Sequence, residues 1–222
     1  DGINGVTSNP SIFEKAISTG SDYDVDITTL SQTKASNESI FFNVALKDIK
    51  RAADLFKPVH TKSNGRDGFV SLEVSPHLAY DTEGTIKQAA ELWKAVDRRN
   101  VMIKIPATKE DLPAIRKCIS EGININITLL FGLQRYNEVV DAYLSGLEDR
   151  VKENKPIGHI ASVASFFLSR IDAMIDPQLN NGLASLKGET AIASAKKAYE
   201  IYQEVFSIER FKKLASENAK RQ

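Results

Sequence analysis

Lys104 is the residue of this sequence best suited to chemistry, because it interrupts an otherwise apolar run, residues 101–106 (VMIKIP). A strand this apolar is expected to be buried on both faces, where an ammonium group without a partner is costly. Burial favours the neutral amine, which is the form that attacks a carbonyl carbon and forms a Schiff base. Two other interpretations stay open: the head group reaches past the strand end into water, or an acidic side chain pairs with it.

Polar side chains recur near the carboxyl ends of the strands that the sequence predicts. In chain order they are Thr7, Asn9, Glu73, Lys104, Asn126, Thr128 and Ser165. Because residues two apart share one face of a strand, Asn126 and Thr128 are expected on the same side. In a barrel of parallel strands, the carboxyl end is where active sites are assembled. Each Asn, Thr or Ser taken singly could instead cap a helix or close a turn, so the set of residues predicts the site.

The elements that must position these residues alternate along the chain, as is typical of parallel strands joined by helices. Strands are predicted at residues 3–8, 69–74, 101–105, 125–131 and 160–167. Helices are predicted at residues 40–56, 82–96, 109–120, 133–150, 169–175, 190–206 and 207–219. The long first crossover predicts a helical insertion at about residues 22–60, with a weaker helical piece before residue 40.

Composition excludes several classes of function. A chain of 222 residues, 42% of them hydrophobic, is large enough for one substantial core and predicts one domain over residues 1–222. Its 29 basic and 29 acidic side chains cancel, so no overall field favours nucleic acid or an anionic membrane. The single cysteine, Cys118, permits no internal disulfide, which favours the cytoplasm. The scattered His60, His77 and His159 do not suggest a metal site.

Five segments of the sequence resemble the successive strand motifs of the transaldolase family, in order and at suitable spacing. They are residues 5–11 (GVTSNPS), 71–74 (SLEV), 102–108 (MIKIPAT), 122–131 (GININITLLF) and 165–172 (SFFLSRID). The long first crossover and residues 162–167 further resemble the longer bacterial-type transaldolases. The resemblance implies an α/β fold of the (β/α)8 TIM-barrel type, with about five of the eight strands in this sequence.

The resemblance also implies an activity: transfer of a dihydroxyacetone unit between sugar phosphates in the non-oxidative pentose phosphate pathway, without metal or cofactor. Lys104 would be the Schiff-base lysine that attacks C2 of fructose 6-phosphate or sedoheptulose 7-phosphate. Glu73 and Thr128 match the residues that position the catalytic water. The implied substrate-binding residues are Thr7, Asn9, Asn126, Ser165, Phe167 and Arg170, with Arg170 on the phosphate. Arg170 could instead pair with Asp172 or cap a helix.

The sequence departs from the family pattern at both ends. The family carries, in its first strand, an aspartate that acts as acid and base in the carbon–carbon bond step, and nothing here matches it. Asp1 is not assigned to that role. The last two strands, with a further phosphate-binding arginine, are also unmatched, so the chain is expected to lack both ends of a transaldolase.

Two alternatives therefore stay open beside the transferase. One is an enzyme similar to fructose-6-phosphate aldolase, which releases free dihydroxyacetone. The other is a catalytically incomplete transaldolase fragment. Phe167 favours the transferase over the aldolase, because the aldolase branch of the family carries a tyrosine at the corresponding place.

Overall fold

The structure is a computed structural model that describes residues 2–180 and 182–222. It divides into two compact units, one of residues 1–74 and 88–104, the other of residues 75–87 and 105–222. In both units, neighbouring strands pair in parallel and follow their order along the chain. The predicted α/β fold with five parallel strands is confirmed. The prediction of a single domain over residues 1–222 stays a prediction.

The first unit holds three strands whose register brings the candidate residues together. They are β1 (Gly5–Thr7), β2 (Phe69–Glu73) and β3 (Val101–Pro106), the last two residues of β3 belonging to the second unit. The helices that begin in chain order are α1 (Pro10–Thr19), α2 (Asp24–Ser31), α3 (Asn37–Lys62) and α4 (Thr82–Val96), of which residues 88–96 lie in this unit. All six residues of β3 are buried, as the apolar run predicts.

Helix α3 continues six residues past its predicted end at residue 56, through Pro58. A proline removes one hydrogen bond from a helix and its ring clashes with the preceding turn, but α3 is continuous through Pro58. Past Pro58, the helix packs closely against the residue that precedes β2. Gly68, with φ of +78°, lies against the backbone of His60, where a Cβ would collide. The His60 ring also contacts Phe69 edge-on, with 4.8 Å between centroids. The end of α3 thereby supports the start of β2.

The second unit holds two further strands and the α-helices that follow α4 along the chain. They are α5 (Asp111–Glu121), β4 (Ile125–Leu130), α6 (Leu133–Lys152), β5 (Ser162–Phe166), α7 (Ser169–Ile175), α8 (Glu189–Val205) and α9 (Glu209–Ser216). Three short 3-10 helices lie at Pro76–Leu78, Asp176–Gln178 and Ala184–Leu186. Among the described residues, no helix combines the length and apolar character needed to cross a membrane.

The predicted elements agree closely with the observed ones. All five strands are present, and the helices predicted at residues 82–96 and 169–175 have the predicted bounds. The weaker helical piece before residue 40 is two helices, α1 and α2. Strand β1 is shorter than predicted, but hydrogen bonds from Gly68 to Asn4 and from Ser8 to Ser71 continue its pairing with β2 at both ends.

Helix α5 follows the loop after β3, and it begins with a buried carboxylate. Asp111 is 0% exposed, and neither of its carboxylate oxygens accepts a hydrogen bond within the described part of the chain. Burial raises the pKa of the Asp111 carboxyl from 3.8 to about 6, an effect that the nearby Thr85 and Thr108 hydroxyls offset only in part. The Thr85 hydroxyl donates instead to the Leu78 carbonyl.

We expect Asp111→Asn to be more stable than the wild type at pH 7, by on the order of 1–3 kcal/mol. Between pH 3.8 and about 6 the folded protein holds a proton that the unfolded chain has lost, so wild-type stability falls as pH rises through this window. Asparagine does not titrate, so the variant loses this fall. Urea unfolding between pH 4 and pH 7 measures both proteins.

Glu91→Gln is the matched control, since Glu91 is exposed on α4 and its charge does not contribute to the raised pKa of Asp111. Its stability should stay within about 0.5 kcal/mol of the wild type. Parallel stability curves for wild type and Asp111→Asn across this pH range would contradict the assignment.

Candidate active site

Lys104 is buried and forms an ion pair with Glu73 inside the first unit. Its residue is 6% exposed, and its Nζ lies 3.0 Å from Glu73 Oε2. The parallel register explains this pairing, because Glu73 on β2 is directly opposite Lys104 on β3. Of the interpretations left open by the sequence, the structure has the lysine paired with an acid. An amino group and a carboxylate that can accept a proton from it therefore lie side by side.

A backbone carbonyl completes the surroundings of the Lys104 ammonium group. Nζ donates a hydrogen bond of 3.1 Å to the carbonyl oxygen of Ser8, the residue that follows β1. The end of β1, the end of β2 and strand β3 itself therefore meet at the Nζ atom of Lys104. Both acceptors carry negative or partly negative charge, which compensates for the ammonium charge that burial would otherwise destabilise.

Thr7 and Asn9 flank Ser8, but in the described part of the chain neither side chain forms a hydrogen bond with Lys104. The Thr7 hydroxyl approaches the Ser8 carbonyl oxygen at 3.5 Å, a long contact. Asn9 Oδ1 accepts a hydrogen bond of 2.8 Å from the Ile12 backbone and so caps α1. Capping a helix is the alternative role that the sequence leaves open for such residues. Their roles in substrate binding stay predictions.

In the second unit, Asn126 and Ser165 are brought together. The Ser165 hydroxyl donates a 2.7 Å hydrogen bond to Asn126 Oδ1, linking β4 to β5. Asn126 is 6% exposed and Ser165 is half-buried. The two side chains form an ordered polar pair of the kind that can hold sugar hydroxyls, since a hydroxyl donates and accepts, and an amide does both.

Thr128 lies next to a break in the regular pairing of β4. Its residue is 2% exposed, and its carbonyl accepts a 2.8 Å hydrogen bond from Ala107. The register with β5 shifts between Ile127 and Leu130, and the intervening Leu129 has φ of +55°. A leucine in the left-handed region is strained, and such strain concentrates at bulges that redirect neighbouring side chains. No pattern in the sequence predicts this bulge.

Phe167 and Arg170 follow β5 and differ in their contacts. The Phe167 ring packs on Phe131 with 5.4 Å between centroids, and its N–H donates to the Leu130 carbonyl. Arg170 is exposed, and no ion pair to it is present in residues 2–180 and 182–222. Asp172 instead accepts from the Ala191 backbone, at the start of α8. Arg170 and Asp172 therefore do not form the ion pair that the sequence left open.

Comparison with known proteins gives a family for these features. A sequence profile described as Transaldolase/Fructose-6-phosphate aldolase matches residues 1–218. A protein named Transaldolase from Saccharopolyspora erythraea is 50% identical over 220 residues, covering 98% of this chain and 60% of the relative. Another from Trichodesmium erythraeum is 45% identical over 233 residues, covering 100% and 61%. Transaldolase 1 from Streptomyces avermitilis is 47% identical over 222 residues, covering 98% and 59%. The chain thus spans about three-fifths of the length of these relatives.

We expect Glu73→Gln to destabilise the protein by about 1–3 kcal/mol at pH 7, because it leaves a buried ammonium without its counter-charge. Chemical unfolding at pH 7 measures the difference.

Glu121→Gln provides the control. It removes the acid of the exposed Lys117–Glu121 pair and should change stability by no more than about 0.5 kcal/mol at pH 7. A Glu73→Gln effect as small as this control would show that the Lys104 charge is not sustained by Glu73.

Proposed function

Because this chain belongs to the transaldolase/fructose-6-phosphate aldolase family, we propose that it carries the Schiff-base centre of a transaldolase. The enzyme transfers a dihydroxyacetone unit from a ketose phosphate, fructose 6-phosphate or sedoheptulose 7-phosphate, to an aldose phosphate. The observation that carries the proposal is Lys104, a buried lysine held by Glu73 and by the Ser8 carbonyl. Relatives named Transaldolase, 44–50% identical across nearly the whole chain, support it.

In this mechanism the neutral Lys104 amine attacks C2 of the ketose phosphate. The resulting carbinolamine loses water, which leaves a C=N bond whose protonated nitrogen draws electrons from the adjacent carbons. The C3–C4 bond then breaks as the C4 hydroxyl loses its proton to solvent, so C4 becomes the carbonyl carbon of the departing aldose. The three-carbon unit stays on Nζ as a carbon nucleophile. This nucleophile attacks the carbonyl of the acceptor aldose, and water releases the new ketose from the lysine. The iminium supplies the electrophilic assistance, so no metal or cofactor enters the proposed steps.

Glu73 is assigned the proton transfers of imine formation and hydrolysis. A carboxylate 3.0 Å from Nζ can take the proton that the ammonium must lose before it attacks. The carboxylic acid formed in this way can return the proton when the carbinolamine loses water. Thr128, buried beside the bulge of β4, is assigned with Glu73 to positioning the water molecule that takes part in these transfers.

The remaining predicted residues are assigned to substrate binding. The Asn126–Ser165 pair and Asn9 are assigned to the hydroxyl groups of the three-carbon unit, and Thr7 is also assigned to substrate binding. Arg170 is assigned to the phosphate, and its exposed guanidinium supports the assignment because a planar fork of donors matches phosphate oxygens. Phe167, packed on Phe131, supports transfer over release of free dihydroxyacetone.

The proposal places the reaction in the non-oxidative pentose phosphate pathway and in the cytoplasm. Cys118 is a free, buried thiol whose pKa burial raises to about 12, so it is a poor nucleophile. A cysteine of this kind is in keeping with a reducing compartment.

We expect Lys104→Arg to abolish transfer, lowering kcat by at least about 1,000-fold, because a guanidinium keeps the charge beside Glu73 but does not form an imine. The full-length protein is assayed with fructose 6-phosphate and erythrose 4-phosphate, with coupled detection of glyceraldehyde 3-phosphate.

The same assay separates the alternatives. Transfer to the aldose marks a transaldolase, whereas free dihydroxyacetone without transfer marks an aldolase. If a folded wild-type protein forms neither product, the chain is a catalytically incomplete fragment. Wild-type turnover by Lys104→Arg would refute the role of the lysine.

A further inference from the structure

Ser8 is fixed to β2 by two hydrogen bonds to one atom. Its backbone N–H and its hydroxyl both donate to the carbonyl oxygen of Ser71, at 3.2 and 2.7 Å. The residue is 8% exposed, so water offers little competition for these bonds. Because the N–H and the hydroxyl are both held, Ser8 has little freedom to rotate, and the orientation of its own carbonyl is set by β2.

That carbonyl is the one that accepts a hydrogen bond from Lys104 Nζ, at 3.1 Å. The second acceptor, Glu73 Oε2, is also carried by β2, two residues after Ser71. Both acceptors of the lysine are therefore positioned by the same strand. The Ser8 hydroxyl is the side-chain group that fastens the backbone acceptor to it.

Two fixed acceptors determine the direction in which the amine can react. An ammonium group has three N–H bonds, and two of them point at Ser8 O and Glu73 Oε2. Once Glu73 has taken one proton, the neutral amine keeps two N–H bonds, and rotation about the Cε–Nζ bond lets these two point at Ser8 O and at the Glu73 carboxyl group. The lone pair then lies along the third direction, away from both acceptors. A carbonyl carbon that approaches along this direction meets the lone pair already aligned, which is the geometry that lowers the barrier to addition.

We propose that Ser8 is a positioning residue for the Schiff-base reaction: its hydroxyl clamps the backbone carbonyl that orients the Lys104 amine. The proposal rests on the proposed function in taking Lys104 as the nucleophile. Ser8 acts through Lys104 and makes no contact with the reacting carbon. Removal of its hydroxyl should therefore slow imine formation and leave the binding of the sugar phosphate largely unchanged.

The test is the rate at which Lys104 forms an imine with dihydroxyacetone, followed in the full-length protein. The amine adds to the ketone, the carbinolamine loses water, and borohydride delivers a hydride to the C=N bond. This leaves a three-carbon substituent on Nζ, which peptide mass spectrometry quantifies. We expect Ser8→Ala to slow adduct formation about 10- to 100-fold. With fructose 6-phosphate, kcat should fall similarly, and KM should change less than about threefold.

Three further variants distinguish positioning from a general structural effect. Ser8→Thr keeps the hydroxyl and should stay within about threefold of the wild type. Ser8→Cys fills nearly the same space with a weak donor and should be slow, which covers the case in which Ser8→Ala folds poorly. Ser63→Ala removes a hydroxyl that donates to the His60 carbonyl elsewhere in the same unit, and it should match the wild type.

Each outcome of these measurements decides on the role of Ser8, on the proposed function, or on both. Wild-type rates in folded Ser8→Ala or Ser8→Cys, or equal slowing in Ser8→Thr, overturn the role of Ser8 and leave the proposed function standing. A wild-type protein that forms the Lys104 adduct without transferring it refutes the proposed function, while the same variant rates still decide on Ser8. If the wild type forms no adduct on Lys104, both proposals fail.

Discussion

A positive charge in a nearly water-free position must be compensated by groups that the fold brings to it, and this constraint governs the arrangement around Lys104. The compensating groups come from two directions. Glu73 lies opposite Lys104 in the parallel register of β2 and β3, and the Ser8 carbonyl reaches the same nitrogen from the end of β1. A shift of one residue in either pairing would turn the acid or the lysine to the other face of the sheet. The strand register is therefore as much a part of the site as the side chains.

The second unit meets the same cost of polar burial in other ways. Asn126 and Ser165 satisfy each other with a neutral hydrogen bond, which needs no counter-charge. Asp111 has no such partner among the described residues, and its pKa rises to about 6. A buried carboxyl that keeps its proton into the range of pH 6 lowers the stability of the protein at neutral pH. The two units thus differ in how they bury a charged side chain: Lys104 has an acidic partner, whereas the unpaired Asp111 carboxyl tends toward neutrality.

Much of this architecture could be predicted from the sequence, because strands and helices differ in the period of their apolar residues. The otherwise apolar run at residues 101–106 makes Lys104 an exception in a buried strand, and pairing with an acid is among the interpretations that this run leaves open. Three features carry no comparable signal. The clamp at Ser8 joins a hydroxyl to the carbonyl of Ser71 and presents the carbonyl of Ser8 to Lys104, and every residue possesses such carbonyls. The bulge at Leu129 places a leucine where glycine would be expected, and Asp111 is buried at a helix start where acidic residues are normally exposed. Each depends on contacts between segments distant in sequence, so only the structure reveals it.

The central claim is that Lys104 is the nucleophile of a transaldolase reaction. The most direct measurement is to incubate the full-length protein with fructose 6-phosphate, reduce it with borohydride, and locate the modified lysine by peptide mass spectrometry. The account predicts a reduced three-carbon adduct on Lys104, since cleavage of the C3–C4 bond leaves the dihydroxyacetone unit on Nζ. Modification of a different lysine, or an unmodified Lys104 in a folded and substrate-saturated protein, would contradict it.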